Sequence, residues 1–524
     1  MMGNKKFQVW LPLIFAVVLT FGMLLGYKLG NKHDSNSFFS SNNRNTLQQA
    51  LDIIRLKYVD SVSLDSLQGM AIEQIMNELD PHSVYLPPAD LKEANEDLEG
   101  KFDGIGVEFN VFNDTINIVY VIADGPGHKA GLQIGDKVLK VNDSLLAGKQ
   151  LSIDEIKNII RGSKGSKAIL QLVRDGKQLT VTVTRGTIPV SSIDAAYMMD
   201  KTTGYIRLDK FSEQSYEEFM GAMERLKKEG LQNLIFDLRG NGGGFMNEAV
   251  DMADEFLEGD KLVVYTEGVN EKKREYRCKR PGIFEKGKLV LLVDELSASA
   301  SEALAGALQD WCRATIIGRR SFGKGLVQDQ YQLKDGSALR LTIARYYTPL
   351  GRSIQRPYQK GKKVYMDELW ERHSNGELLS ADSNKVHNGR PYITMCRDTV
   401  YGGGGIMPNI FVPLDTLYEQ QLNQLTAASS LSNYVYGYYL QHKKQMAQYP
   451  TATDYVQQFN AEDMWNDVIR RGIISPVVAN NQKEMIQQQL KAMLARYKWR
   501  RAGYYEVLNA GDLVIKKALE KIRN

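Results

Sequence analysis

The chain has 524 residues, 43% of them hydrophobic and 24% charged, with 45 glycines and 14 prolines. That composition excludes a disordered or fibrous chain, and the length suits about three domains of roughly 100–200 residues each. Lys plus Arg stands at 66 against 62 Asp plus Glu, a net charge of +4 that leaves no nucleic-acid footprint over such a length. Cys278, Cys312 and Cys396 are too few and too scattered for a disulfide framework or a zinc site. No two of the six histidines share a metal-ligand spacing, so neither a metal nor a cofactor is expected.

Between Lys6 and Lys28 lie 21 residues without a charge, FQVWLPLIFAVVLTFGMLLGY. As a helix they would reach about 32 Å, close to the thickness of a bilayer's hydrocarbon. No small-x-small cleavage site follows and no cysteine sits nearby for lipidation. Residues 1–30 are therefore expected to be a short stub and an uncleaved transmembrane anchor, with the body of the protein exported. Lys5 and Lys6 face Lys28 and Lys32 across the run, so charge alone does not orient it.

Residues 31–45, rich in Asn and Ser, read as a flexible linker. Residues 46–99 carry apolar positions at helical intervals (Leu47, Leu51, Ile54, Tyr58, Leu67, Ile72, Ile75, Leu79), broken by Asp80-Pro81. Over 100–187 the pattern changes to short alternating strands with glycine-rich turns (GIGVEFNV, INIVYVI, KVLKVN, KAILQLV, QLTVTV) and one helix at Ile153–Ile160. Residues 188–415 alternate strand-like runs with helical stretches, the signature of an α/β domain. The polar segment Gly361–Arg390 reads as an inserted loop. Residues 416–524 are mostly helical and end in an amphipathic face (Ile486, Leu490, Met493, Leu494, Tyr497, Leu513, Leu519, Ile522) suited to packing or to contact with a second copy.

Chemistry concentrates at three glycine- or serine-rich turns. The strand KLVLLV runs into DELSASASEALAGALQDW, where Ser297, Ser299 and Ser301 alternate with alanines. Ser299 with Glu302 makes an ordinary capping box, but a serine at a strand-to-helix turn is also a candidate nucleophile beside free backbone N–H groups. The residues alone do not choose among the three serines. A nucleophilic serine needs a base, and Lys324 in SFGKGLVQ is a candidate. Lowering its pKa by roughly 3 units from about 10.4 costs some 4 kcal/mol, within reach of burial. Gly318 to Lys324 also fits the start of a P-loop, but Gly325 replaces the hydroxyl residue and a strand-like run follows instead of a helix. The third turn, FDLRGNGGG, places Gly242 and Gly243 after the pair Asp237 and Arg239, an arrangement suited to donating N–H groups to an oxyanion. In the β-rich region, the loop from Phe102 through Gly104 and Ile105 to Gly106 feeds a strand edge, a device that captures a chain terminus as an added strand.

The motifs LDPHSVYL, FDGIGVEF, KAGLQIGDKVLKVN, FDLRGNGGG, SASASEALAGALQDW, SFGKGLVQ, DGSALRLTIARYYTPLGRSIQ and GGGGIMPN occur in the order seen in the carboxyl-terminal processing peptidases, which the chain resembles over residues 46–415. The resemblance implies a peptidase core of the crotonase and Clp type with an inserted PDZ domain, an N-terminal transmembrane helix and a helical C-terminal region. It implies Ser299 as nucleophile, because the family's 25-residue spacing from serine to lysine lands on Lys324, with Gln328 orienting that lysine. Oxyanion donors fall on Gly242 or Gly243 and on Ala300, supporting polar roles on Asp237, Arg239 and Glu302, and carboxylate capture on Phe102 to Gly106. Asn409 stands where the family commonly has Asp.

The expected protein is thus a serine endopeptidase of the bacterial cell envelope, anchored in the inner membrane with its body in the periplasm. It would act on proteins with free, apolar C-termini, and homo-oligomers through the tail are a further expectation. The alternative is a catalytically silent PDZ scaffold that binds such termini.

Overall fold

The computed structural model describes residues 15–23, 46–381, 389–416, 429–474 and 482–524. Most of the expected anchor, and all of the expected linker 31–45, lies outside the described residues. Residues 15–23 are helical, with Phe15, Val17, Val18, Leu19, Phe21 and Met23 exposed. Among the described residues no helix is long and apolar enough to cross a membrane. Up to Ile72 the chain is a unit of its own, which includes the helix Thr46–Lys57 and the start of Leu64–Leu79.

In the β-rich domain five strands pair antiparallel in the order Val107–Phe112, Thr115–Val121, Lys137–Val141, Lys167–Arg174, Lys177–Thr184. Lys167–Arg174 alternates exposed and buried residues, as a strand with one solvated face must. Ile116, Ile118, Val138, Leu170 and Leu172 form its core with Ile156 and Ile160 of the helix Ile153–Ile160. Ser152 and Glu155 start that helix with a reciprocal capping box. Lys101–Gly104 and Gly186–Pro189, the strands entering and leaving, pair with each other and close the neck of the insertion.

The α/β domain has a six-stranded sheet in the order Ile193–Met198, Thr203–Leu208, Asn233–Asp237, Leu289–Val293, Thr315–Gly318, Ile410–Phe411. Only the first pair is antiparallel. All five residues of Leu289–Val293 are buried, which is why that strand reads as an unbroken apolar run and not an alternating one. The helices Ser215–Lys228, Met246–Asp254 and Ala300–Asp310 cover one face, and each fully buried Leu or Phe there contributes roughly 1.5–3 kcal/mol. The other face is covered by the last helix, Leu513–Arg523, through Val514, Ile515, Ala518 and Ile522. A second, antiparallel sheet runs Val84–Leu86, Ala338–Tyr347, Leu262–Glu267, Arg274–Arg277, with Leu326–Gln332 also on Ala338–Tyr347.

Two expectations need correction. The segment Gly361–Arg390 is not a simple loop: it holds the helix Lys362–Ser374 with Tyr365 and Arg372 buried. Its polarity misleads because Arg372 and Arg320 are buried against Glu368 and Glu377, so charge here forms core. The scattered cysteines include a pair, since Cys312 after the helix Ala300–Asp310 is bonded to Cys396 in the hairpin Pro391–Tyr401, 84 residues on. The tail's apolar face is largely spent within the chain. Ile486, Leu490 and Leu494 are buried in a helical core and Ile522 lies under the six-stranded sheet.

Candidate active site

The parallel strand Leu289–Val293 ends at a tight turn, and Ser299 closes that turn immediately before the helix Ala300–Asp310. Ser299 adopts φ 56° and ψ −113°, a left-handed conformation that a non-glycine residue holds only where its surroundings enforce it. Those surroundings also tell the three serines apart. The Ser297 hydroxyl donates to the Leu238 carbonyl at 2.8 Å and the Ser301 hydroxyl to the Asn241 carbonyl at 3.0 Å, and both residues are fully buried. They tie this turn to the neighbouring turn of FDLRGNGGG, while Ser299 is partly exposed.

Glu302, fully buried one turn into the helix, organises the site. One of its carboxylate oxygens accepts the Ser299 N–H at 2.9 Å and the Lys324 N–H at 2.8 Å. The other accepts the Ser321 hydroxyl and the Gly323 N–H. Burial raises its pKa and these four hydrogen bonds oppose that shift. Ser299 and Lys324, 25 residues apart in sequence, are thereby held on one oxygen atom. Tyr346, from the adjacent strand, places its hydroxyl 2.9 Å from both the Ser299 and Lys324 carbonyls.

The Lys324 ammonium donates to Gln328 Oε1 at 3.0 Å, and the Gln328 amide donates in turn to the His82 carbonyl. Burial lowers the Lys324 pKa, and the Arg340 guanidinium lowers it further, against smaller opposing pulls from Asp80 and Glu302. His82 itself is pushed down to about 4, first by burial and then by Lys324, so its ring is neutral near pH 7. It meets the Tyr365 hydroxyl at 3.0 Å. Asp80 fixes this corner by accepting the N–H groups of His82 and Ser83 at 2.8 and 2.9 Å and the Thr342 hydroxyl at 3.1 Å.

The glycine turn packs directly on the serine turn. A Cβ at Gly243, where φ is +101°, would lie 2.8 Å from Ser299 Cβ and 3.0 Å from the Ala300 nitrogen, so no side chain fits. The Gly243 N–H is taken by Asn241 Oδ1 at 2.8 Å. Among the described residues the N–H groups of Gly242 and Ala300 have no hydrogen-bond partner. Asp237 and Arg239, expected in supporting polar roles, form an ion-pair network beneath the glycine turn. Asp237 is buried between Arg239 and Arg207, whose charges hold its carboxyl well below the usual range despite burial, and Arg239 continues to Asp512 at the start of the last helix. The pair anchors the C-terminal helix to the sheet.

Of the other expected residues, Phe102, Gly104, Ile105 and Gly106 line a cleft of about 560 Å³ at the β-rich domain, bounded by the edge strand Val107–Phe112 and the helix Ile153–Ile160. Ile105 and Gly106 are buried, and among the described residues their N–H groups have no partner. Asn409 Oδ1 accepts the Ile316 N–H at 2.9 Å, a role that needs only a carbonyl oxygen. Sequence reasoning did not single out Asp80, His82, Tyr346 or Arg340. Asp80-Pro81 looked only like a helix stop, and the signal available was its place in the LDPHSVYL motif.

Residues 202–361 match the model of peptidase family S41, residues 118–174 that of a PDZ domain, and residues 421–500 that of a family of unknown function, DUF8443. The chain is 31% identical over 402 residues to a carboxy-terminal-processing protease of Bartonella bacilliformis, covering 74% of this chain and 90% of that one. It is 32% identical over 361 residues to the carboxy-terminal processing protease CtpA of Bacillus subtilis, covering 68% of this chain and 74% of that one. With a peptidase fold, a PDZ domain and a helical C-terminal region, the chain belongs to the carboxy-terminal processing serine proteases of family S41.

Proposed function

We propose that Ser299 and Lys324 form a catalytic dyad that cleaves proteins whose C-terminal tails are captured at Phe102–Gly106. The observation that carries this reading is the single Glu302 oxygen that binds the backbone N–H groups of both residues. Neutral Lys324 takes the proton of the Ser299 hydroxyl as its oxygen attacks the scissile carbonyl carbon. The resulting oxyanion is received by the N–H groups of Ala300 and Gly242, which have nothing else to bond. Lys324 returns the proton to the leaving amine, leaving an ester on Ser299. Water then attacks that ester with Lys324 again as base, which releases the acid and restores the serine. These steps call on no metal or cofactor.

Capture rests on the unpaired N–H groups of Ile105 and Gly106, suited to a terminal carboxylate, beside an edge strand to which a peptide can add. The apolar lining from Ile105, Val107, Ile153 and Ile160 favours tails with an apolar last residue. Export and anchoring are supported by the 21 uncharged residues between Lys6 and Lys28, and the Cys312–Cys396 disulfide fits an oxidising compartment such as the periplasm.

The deciding experiment is turnover of a quenched peptide with an apolar C-terminus by the intact protein and by Ser299→Ala. Loss of all but about one part in 10⁴ of the turnover is expected. Equal rates would leave only the silent scaffold.

A further inference from the structure

The cleft at Phe102–Gly106 has a wall that the PDZ domain does not supply. The helix Lys483–Asn509, whose first 18 residues fall in the match to a family of unknown function, contributes Gln489, Met493, Arg496, Tyr497 and Arg501 to it. This is a fixed contact. Phe112 on the edge strand stacks on Tyr436 of the helix Ser429–Gln441 with ring centroids 5.3 Å apart, the Tyr436 hydroxyl donates to the Ile118 carbonyl at 2.9 Å, and the Tyr436 ring in turn packs on Tyr497 of the wall helix at 5.5 Å. Glu108 pairs with Arg500, whose guanidinium also lies 4.2 Å over the Tyr120 ring. At Arg500 the helix breaks, with φ 57° and ψ −147°, so backbone strain is held where the helix meets the strand.

The charges around the cleft are unevenly spent. Arg161 pairs with Glu96 at 3.4 Å, Lys157 with Asp154 at 2.9 Å, and Arg501 with Asp194 and, at 3.3 Å, Asp209. Glu108 is neutralised by Arg500. Arg496 is exposed at the cleft and has no partner among the described residues. A peptide extending along the edge strand from Phe102–Gly106 would lie in the cleft that this residue lines. A volume of about 560 Å³ lies within the roughly 300–1,000 Å³ usual for ligand sites.

We propose that the helix Lys483–Asn509 is a third wall of the peptide groove, and that Arg496 selects substrate tails bearing an acidic side chain upstream of the apolar C-terminus. This rests on the capture reading above. It gives the C-terminal helical region a role in choosing substrates rather than in chemistry.

The test uses the intact Ser299→Ala protein and fluorescent peptides that share an apolar last residue. Glu, Gln or Lys is placed in turn at the second to fifth positions from the end, and each peptide is also made as the C-terminal amide. At one or more of these positions the Glu peptide should bind about tenfold tighter than the Lys peptide. Arg496→Glu should reverse that order, and Arg496→Gln should abolish it, with affinity for the Gln peptide changed by less than about twofold. A benzophenone at the selected position should cross-link to the segment around Met493 and Arg496. If acid binds better than amide but the Glu preference is absent or indifferent to Arg496, the inference falls while capture stands. Cross-links confined to residues 100–187 would likewise remove the third wall. If acid and amide bind equally, or nothing binds, capture fails and takes this inference with it.

Discussion

The proposed catalytic turn at Ser299 and the proposed peptide groove would solve opposite problems with the same backbone groups. Around Ser299 almost every polar atom is committed: Glu302 takes four hydrogen bonds, Ser297 and Ser301 are bonded to the facing turn, and Tyr346 bridges two carbonyls. Among the described residues the N–H groups of Gly242 and Ala300 are left without a partner, within one tightly packed body. At the groove the unpaired donors, Ile105 and Gly106, sit between a PDZ strand, a PDZ helix and a helix from the far end of the chain. Chemistry needs groups held to a fraction of an ångström, whereas capture of varied tails needs walls that present charge and apolar surface. Over-determination marks the first region and open valence the second.

The comparison breaks most sharply at the lysine. Lys324→Arg keeps the positive charge but supplies no neutral amine, since arginine stays protonated. The variant should fold with an unchanged melting temperature and lose at least about 10³-fold in kcat. Retained hydrolysis would hand the role of base to another group, with His82 the nearest candidate.

Glu302→Gln tests whether over-determination matters. Glutamine presents one acceptor and two donors where four donors converge, so at least one buried N–H or hydroxyl is left unpaired. A loss of about 1–3 kcal/mol in stability and roughly 10- to 100-fold in kcat is expected, read by thermal unfolding and steady-state kinetics. A variant of unchanged stability and rate would mean that the carboxylate does not position the dyad.

On the groove side, amidating the C-terminus of a good substrate should weaken capture by about one to two orders of magnitude. The effect should appear at low substrate concentration and shrink near saturation. Equal cleavage of acid and amide across the concentration range would remove the carboxylate from what Phe102–Gly106 reads.

The smallest effect sharpens the electrostatics. The active form of Lys324 is the neutral amine, so activity is lost as pH falls through its lowered pKa. Arg340→Gln removes the second cause of that lowering, which moves the acidic limb of the profile to higher pH by about half to one unit. Arg340→Lys should restore it. Because the His82 ring is already neutral above about 4, no limb near pH 6–7 is expected from it. An unmoved limb in Arg340→Gln would assign it to a group other than Lys324.

Much of this molecule was legible from order and periodicity. The alternating runs of the PDZ strands, the unbroken apolar run of Leu289–Val293 and the helix Ile153–Ile160 all report local burial, which a sequence writes directly at periods of 2 and 3.6. The ordered motifs drew attention to Ser299, Lys324 and Gln328 because the spacing of segments in a family is a property of the chain. Contacts between distant segments were not legible. Nothing local separates Ser299 from Ser297 and Ser301 until the turn 238–241 arrives to accept the other two hydroxyls. Asp80-Pro81 looks like a helix stop until Thr342 meets Asp80, and Gln328 the adjoining His82, across the second sheet. Arg372 looks like loop polarity until Glu368 and Glu377 close around it, and the link from Arg239 to Asp512 appears only when the last helix packs on the sheet. The sequence by itself determined most of the elements, the helix Lys362–Ser374 excepted, and the family. Tertiary structure decided which polar groups are spent holding the fold and which stay open for substrate, because a hydrogen bond or ion pair is a fact about two residues that only the folded chain brings together.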